Sequence, residues 1–164
     1  GDEPDRVFEG RRVNEHGWDR VEFFIAPNPG EEALPLARTA SGGELSRISL
    51  AIQVILSASS QIPTLIFDEV DSGIGGGIAE IVGSKLRQIA HDRQVFCVTH
   101  LPQVASQAHH HYQVQKFNTD GSVSTDVIEL DAGQRLEEIA RMLGGMTITE
   151  QTRAHAREMI SKAY

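Results

Sequence analysis

Apolar residues in this chain fall into short runs and helical stripes that alternate along the sequence. Thr64-Leu65-Ile66-Phe67 and Gln94-Val95-Phe96-Cys97-Val98-Thr99 are brief uncharged runs. Runs of this length predict strands buried on both faces, as in the interior of a parallel sheet. Pro63 precedes the first, a position where a missing N–H does no harm. Between the two strands, Ile78, Ile81, Val82, Leu86 and Ile89 recur at helical spacing and predict an amphipathic helix ending near His91. Leu45, Ile48, Ile52, Ile55 and Leu56 predict an earlier helix over about residues 42–57. Strand, helix and strand make a βαβ unit, which predicts a right-handed crossover and parallel pairing.

The flanks are less regular. Residues 1–18 show no sustained period and read as a linker. Val21 to Ile25 reads as a strand stopped by Pro27-Asn28-Pro29-Gly30, and Glu31 to Thr39 as a polar connector. After the second buried run, Leu101 to Gln107 predicts a short helix. Tyr112 to Phe117 and Ser122 to Leu130 predict a hairpin around Asn118-Thr119-Asp120-Gly121. Asp131 with Gln134 forms a capping box, opening a helix through Leu136, Ile139, Ala140 and Leu143 that stops at Gly144-Gly145. Thr147 with Glu150 is read as the start of the last helix, packed through Ala156, Met159 and Ile160.

Composition narrows the classes. The 164 residues are enough for one domain with a core. Fifteen basic against 23 acidic residues leave a net charge of −8, which argues against the whole surface being a nucleic-acid footprint. DNA contacts would have to come from local basic clusters such as Arg6, Arg11 and Arg12, a weak signal. The single cysteine, Cys97, lies in an apolar run and reads as a small buried hydrophobe in a reducing compartment. No apolar run approaches the roughly 18 residues of a membrane span, and the N-terminal residues do not read as a signal peptide. The chain starts Gly1-Asp2-Glu3-Pro4 without an initiator Met, which is expected of a piece cut from something longer.

Candidate chemistry gathers at the strand ends. Asp68 and Glu69 follow the first buried run at once, at the carboxyl edge where open α/β sheets bind ligands. Alone, the pair is as well explained by a solvated strand end or a helix cap. His100 leaves the same edge of the neighbouring strand, where a lone His is most often structural but one beside an acid pair is a candidate ligand contact. Ser41 and Glu44 form a capping box around Gly42 and Gly43. Two glycines in a first helical turn each cost about 1 kcal/mol against Ala, a cost that close approach of an anion to the free N–H groups would justify. Gly83-Ser84-Lys85 is not a phosphate loop, because it lies inside a helix. His109-His110-His111 lacks the further ligands a zinc site needs and reads as a polar approach to a strand. Phosphate donors, a carboxylate for Mg²⁺ and a group to orient water are the parts of a phosphoryl-transfer site.

These motifs together resemble the ABC-type ATPases. Ser41-Gly42-Gly43-Glu44 is similar to their signature motif, Thr64 to Glu69 to their Walker B strand, Asp71 to Gly76 to their D-loop and Val98-Thr99-His100 to their switch histidine. Glu44 after the glycines and Val70 after the acid pair resemble the SMC-like branch that maintains DNA. Val98-Thr99-His100-Leu101-Pro102-Gln103-Val104-Ala105 resembles a bacterial recombination and repair member of that branch. The likeness runs from about residue 19 to 162.

The resemblance implies a P-loop NTPase-like α/β fold. Specifically, it implies the C-terminal lobe of an ABC ATPase head, with a mainly parallel core sheet flanked by helices and a C-terminal helical pair. Residues 1–18 would follow the parent's coiled coil, and residues 19–164 would be the C-terminal half of the head. The cofactors implied are ATP and Mg²⁺. Asp68 would help hold Mg²⁺ through water, Glu69 would act as general base and His100 would meet the γ-phosphate. Ser41, Gly42, Gly43 and Glu44 would reach ATP on a second head, with Asp71 in the D-loop. The partners implied are the N-terminal half of the head, which carries the Walker A loop, a second head in an ATP-sandwich dimer, and DNA, in a bacterial cytoplasm and not at a membrane. The chain alone would be inactive and bind no ATP tightly. The competing expectations are a non-catalytic docking module and the head half of another SMC-like chromosome-maintenance ATPase.

Overall fold

The structure is a computed structural model that describes residues 6–8, 11–13, 17, 21–26, 30–39, 42–56, 62–119, 122–145 and 147–163. The chain divides into two compact units, Gly1–Ala40 and Ser41–Tyr164, a boundary well beyond the linker expected to end at residue 18.

The first unit holds β1 (Arg6–Phe8), β2 (Arg11–Val13), β3 (Phe24–Ile25), β4 (Leu34–Pro35) and the single turn α1 (Leu36–Thr39). β1 pairs antiparallel with β2, and β3 with β4. The segment read as a linker therefore contains a strand pair, and the segment read as a polar connector contributes a strand and a helical turn. Each of these elements is only two to four residues long, too short for a hydrophobic period to register. The stop at Pro27-Asn28-Pro29 lies outside the described residues.

The second unit contains α2 (Gly42–Ile55), β5 (Thr64–Phe67), α3 (Gly76–Ile89), β6 (Gln94–Cys97), α4 (Pro102–Ala105), β7 (Tyr112–Thr119), β8 (Ser122–Glu129), α5 (Ala132–Gly144) and α6 (Glu150–Lys162). β5 and β6 pair in parallel, Thr64 opposite Gln94 through Phe67 opposite Cys97. Backbone bonds from Gln94 to Pro63 and from Val98 to Phe67 extend the ladder at both ends. The βαβ unit is thus present with its strands parallel, as the hydrophobic pattern predicts. β7 and β8 form an antiparallel hairpin whose turn at Asp120-Gly121 lies outside the described residues.

Among the described residues every sheet is two-stranded, and β5–β6 is the one parallel pair. The strands expected to be buried on both faces are buried on one. Phe67 joins a core with Leu50, Val70, Ala79, Val82, Leu86, Ile89 and Val104, while Ile66 on the other face is 73% exposed and Phe96 opposite it is 46% exposed. Among the described residues of this unit nothing covers that face, so a run long enough to be dry on both sides stays dry on one.

The helices show the same split. In α2 the expected stripe is largely exposed at Leu45, Ile52 and Ile55, and the side packed inward carries Gly43 and Leu50, with half-buried Val54. In α3 Ile78 and Ile81 are exposed, whereas Ala79, Val82, Leu86 and Ile89 are buried. Gly83 lies inside α3, where a Cβ would come within 3.1 Å of the Gln103 carbonyl and 3.2 Å of the Val104 Cα. It serves the packing of α3 on α4, which accounts for a glycine there without a phosphate loop.

The C-terminal part closes on itself. Asp131 caps α5 reciprocally with Gln134 at 2.8 and 2.9 Å, as expected. The cap of α6 is Thr149 with Thr152, not Thr147 with Glu150: Thr149 Oγ1 accepts from Thr152 N at 3.1 Å. Both threonine pairings fit the spacing, and the later one starts the helix where Ala156 meets Ile139 and Ala140 in a second small core. Arg135 reaches back from α5 and donates to the carbonyls of Ser106 and Ala108 at 2.8 and 2.6 Å, satisfying the end of α4.

Candidate active site

The acid pair leaves the carboxyl end of β5 in a sharply bent turn. Glu69 has φ +57°, a left-handed conformation that costs a non-glycine residue about 1–3 kcal/mol and persists only where neighbours hold it. Several groups do so. Glu69 N donates to Asp68 Oδ1 at 2.9 Å, and Ser72 N donates to the Glu69 carbonyl at 3.0 Å. Val70, fully buried, anchors the turn from below.

The rest of the support comes from α2. Ser46 Oγ donates to the Asp68 carbonyl at 2.8 Å. Arg47 Nη1 donates to the Ser72 carbonyl at 2.7 Å and reaches the Val70 carbonyl at 3.4 Å. Gly43 lets the helix come this near, since a Cβ there would sit 2.8 Å from Ser72 Cβ, 3.0 Å from the Ser72 carbonyl and 3.1 Å from the Glu69 carbonyl. A Cβ on Gly42 would meet the Glu69 carboxylate itself at 2.8 Å. Within the chain, the glycine pair admits this close approach of the chain's own turn. Ser41 lies outside the described residues, and Glu44 is half-buried in the first turn of α2.

Asp71 joins the two strands. Its carboxylate is 2% exposed, and Oδ2 accepts from Thr99 Oγ1 at 2.5 Å and from the His100 backbone N at 3.0 Å. His100 Nδ1 lies 3.3 Å from the same oxygen, while the imidazole remains 71% exposed. The Asp71 carboxylate is therefore turned inward and holds the loop that presents His100. Because the strands are parallel, Asp68, Glu69 and His100 emerge from one edge.

Beneath the edge, burial first, then Asp71 and then Asp68, push the Cys97 thiol up to about 12. It stays protonated and is no nucleophile. At the far side of the unit His109, His110 and His111 do not converge. His110 Nδ1 meets Glu129 at 3.0 Å, and burial and then Arg135 lower the pKa of His111 against an opposing pull from Glu138.

Among the described residues no group of three or more His, Cys, Asp or Glu could hold a metal ion. Mg²⁺ is ordinarily bound through one or two carboxylates with water and phosphate oxygens, and Asp68 and Glu69 are exposed carboxylates at the edge. The sequence pattern located the acids, Asp71 and His100. It passed over Ser46, Arg47 and Thr99. Gly43, Ser46, Arg47 and Leu50 share one helical face at i, i+3, i+4 and i+7, a signal that would have placed Ser46 and Arg47 beside the turn.

No family model matches the chain. Individual proteins do. It is 51% identical over 154 residues to the DNA repair protein RecN of Xylella fastidiosa (strain 9a5c), 94% of this chain and 28% of that protein. The chain is homologous to part of RecN. RecN of Haemophilus influenzae is 52% identical over 149 residues, 91% of this chain and 27% of that protein. Bacillus subtilis RecN is 41% identical over 152 residues, 93% of this chain and 26% of that protein. The match covers the C-terminal part of RecN, and the chain spans a little over a quarter of the length of these relatives. A solved structure concerned with ATP-driven dimerization and DNA-stimulated activation of SMC ATPases superposes with a TM-score of 0.50 at 17% identity, over 76% of this chain and 81% of that chain. The fold is accordingly P-loop NTPase-like α/β. Among the described residues no helix is long and apolar enough to cross a membrane.

Proposed function

We propose that this chain is the C-terminal half of an SMC-like ATPase head and that the intact protein hydrolyses ATP in the recombinational repair of DNA double-strand breaks. The observation that carries the reading is the Asp71 bridge, which ties the turn bearing Asp68 and Glu69 to the loop bearing His100. Kinship to RecN and likeness to an SMC ATPase support it.

In this reading Asp68 holds Mg²⁺ through water, Glu69 takes the proton of the attacking water, and His100 meets the γ-phosphate. With Nδ1 facing Asp71, Nε2 is the nitrogen left for that contact. Mg²⁺, when bound, would neutralise charge developing on the β- and γ-phosphates. Ser41, Gly42, Gly43 and Glu44 serve ATP on a second head, so the active species is an ATP-sandwich dimer. The N-terminal half of the head brings the Walker A loop and lies over the exposed face around Ile66 and Phe96, completing a mainly parallel sheet. DNA is engaged by the intact protein. The isolated chain, without a glycine-rich phosphate loop of its own, is inert.

The experiment is Glu69→Gln in the full-length protein. Turnover should fall on the order of a hundred-fold or more, the scale of losing a positioned general base, while ATP-driven dimerisation persists. Hydrolysis at the normal rate would overturn the assignment.

A further inference from the structure

Arg47 and Ser46 have no part in the chemistry above, yet they make the bonds that join α2 to the turn carrying Glu69. Arg47 Nη1 reaches two carbonyls of that turn, those of Ser72 at 2.7 Å and Val70 at 3.4 Å, and Ser46 Oγ reaches a third, that of Asp68 at 2.8 Å. These carbonyls bracket Glu69, whose backbone stands at φ +57°. A residue in that conformation needs its neighbours fixed, because the ordinary extended and helical basins are lower in energy. Guanidinium suits the task. Its Nη1 carries two hydrogens held in a rigid plane, one for each carbonyl, where an ammonium would have to be oriented on a flexible stem.

We propose that Arg47, assisted by Ser46, is a positioning residue for hydrolysis: it locks the turn after β5 so that the Glu69 carboxylate stays aimed from the sheet edge. This rests on the reading of Glu69 as general base. Arg47 sits one helical turn after Gly43, so the helix end that would meet one nucleotide and the carboxylate that would serve another belong to one hydrogen-bonded piece.

The test is a double-mutant cycle in the full-length protein with Arg47→Ala, Arg47→Lys and Glu69→Gln. Arg47→Ala should lower kcat about ten-fold or more with KM within about two-fold, as for a misaimed group and not a lost binding contact. Arg47→Lys should recover part of kcat. In the Glu69→Gln background Arg47→Ala should change the residual rate by less than about two-fold, because a residue acting through Glu69 has nothing left to position. An Arg47→Ala protein with normal kcat, or an equal loss with and without Glu69, would overturn the proposal. Should Arg47→Ala not fold, Ser46→Ala takes its place in the cycle with the same expectations. If Glu69→Gln itself turns over normally, the assignment of Glu69 fails. If Glu69→Gln is inactive and Arg47→Ala is normal, the positioning role alone fails.

Discussion

The β5–β6 pair and the α5–α6 pair lie in the same compact unit and are finished to different degrees. Around α5 and α6 the chain meets its own needs: Ile139 is fully buried, both N-termini carry reciprocal caps, and Arg135 closes the end of α4. Around β5 and β6 one face is packed and the other presents Ile66, Phe96 and Val98 to solvent. The acids and His100 sit at the edge of the unfinished element. Ile66 on β5 and Phe96 on β6 form an exposed apolar pair on one face, the kind of patch that interaction surfaces carry. In the proposed function the N-terminal half of the head lies on this face, with the self-contained end as its support.

The largest effect should come from truncating an isoleucine in each region in turn. Ile139→Ala should cost about 2–5 kcal/mol in urea unfolding of the isolated chain, the range for a buried Ile that leaves a cavity. Ile66→Ala should stay within about 0.5 kcal/mol in the same experiment, as surface changes do. In the full-length protein Ile66→Ala should rise toward the cost of Ile139→Ala if the N-terminal half covers it. Equal costs in the isolated chain would break the contrast.

A smaller effect separates the two glycines of α2. Gly43→Ala drives a methyl into backbone and should cost about 1–3 kcal/mol, as overpacking does. Gly42→Ala meets only the movable end of Glu69 and gains helix propensity of about 1 kcal/mol, so its net effect on the urea midpoint should be near zero. A Gly42→Ala cost as large as that of Gly43→Ala would show that the close approach lies elsewhere.

The smallest concerns pH at the self-contained end. His111 is half-buried with its pKa lowered below the ordinary 6.5, by burial first and then by Arg135. The unfolded chain binds this proton more readily than the folded one, so the contribution is complete above about 6.5 and is lost as pH falls through the depressed folded value. His111→Asn should flatten the fall in urea midpoint between pH 7.5 and pH 5.5. An unchanged slope would remove His111 as its source.

The acid pair, Asp71 and His100 were legible in the sequence because short uncharged runs locate strand ends, and parallel pairing then puts those ends on one edge. The α5 cap was legible because Asp131 and Gln134 satisfy each other locally. The α6 cap was ambiguous because Thr147–Glu150 and Thr149–Thr152 offer the same local spacing, and the packing of Ala156 selects between them. β3 falls within the strand read over Val21 to Ile25, whereas β1, β2 and β4 were missed because two or three residues carry no period.

What the sequence alone determined is the order of the elements and the chemistry at the strand ends, since periodicity and residue type are local properties. Three things awaited the tertiary structure: which apolar face is covered, that Asp71 turns inward to His100, and that the glycines of α2 face the Glu69 turn. Each depends on the distance between segments more than twenty residues apart, and Gly43 against Ser72 or Asp71 against Thr99 becomes a contact only once β5, β6 and α2 share a core.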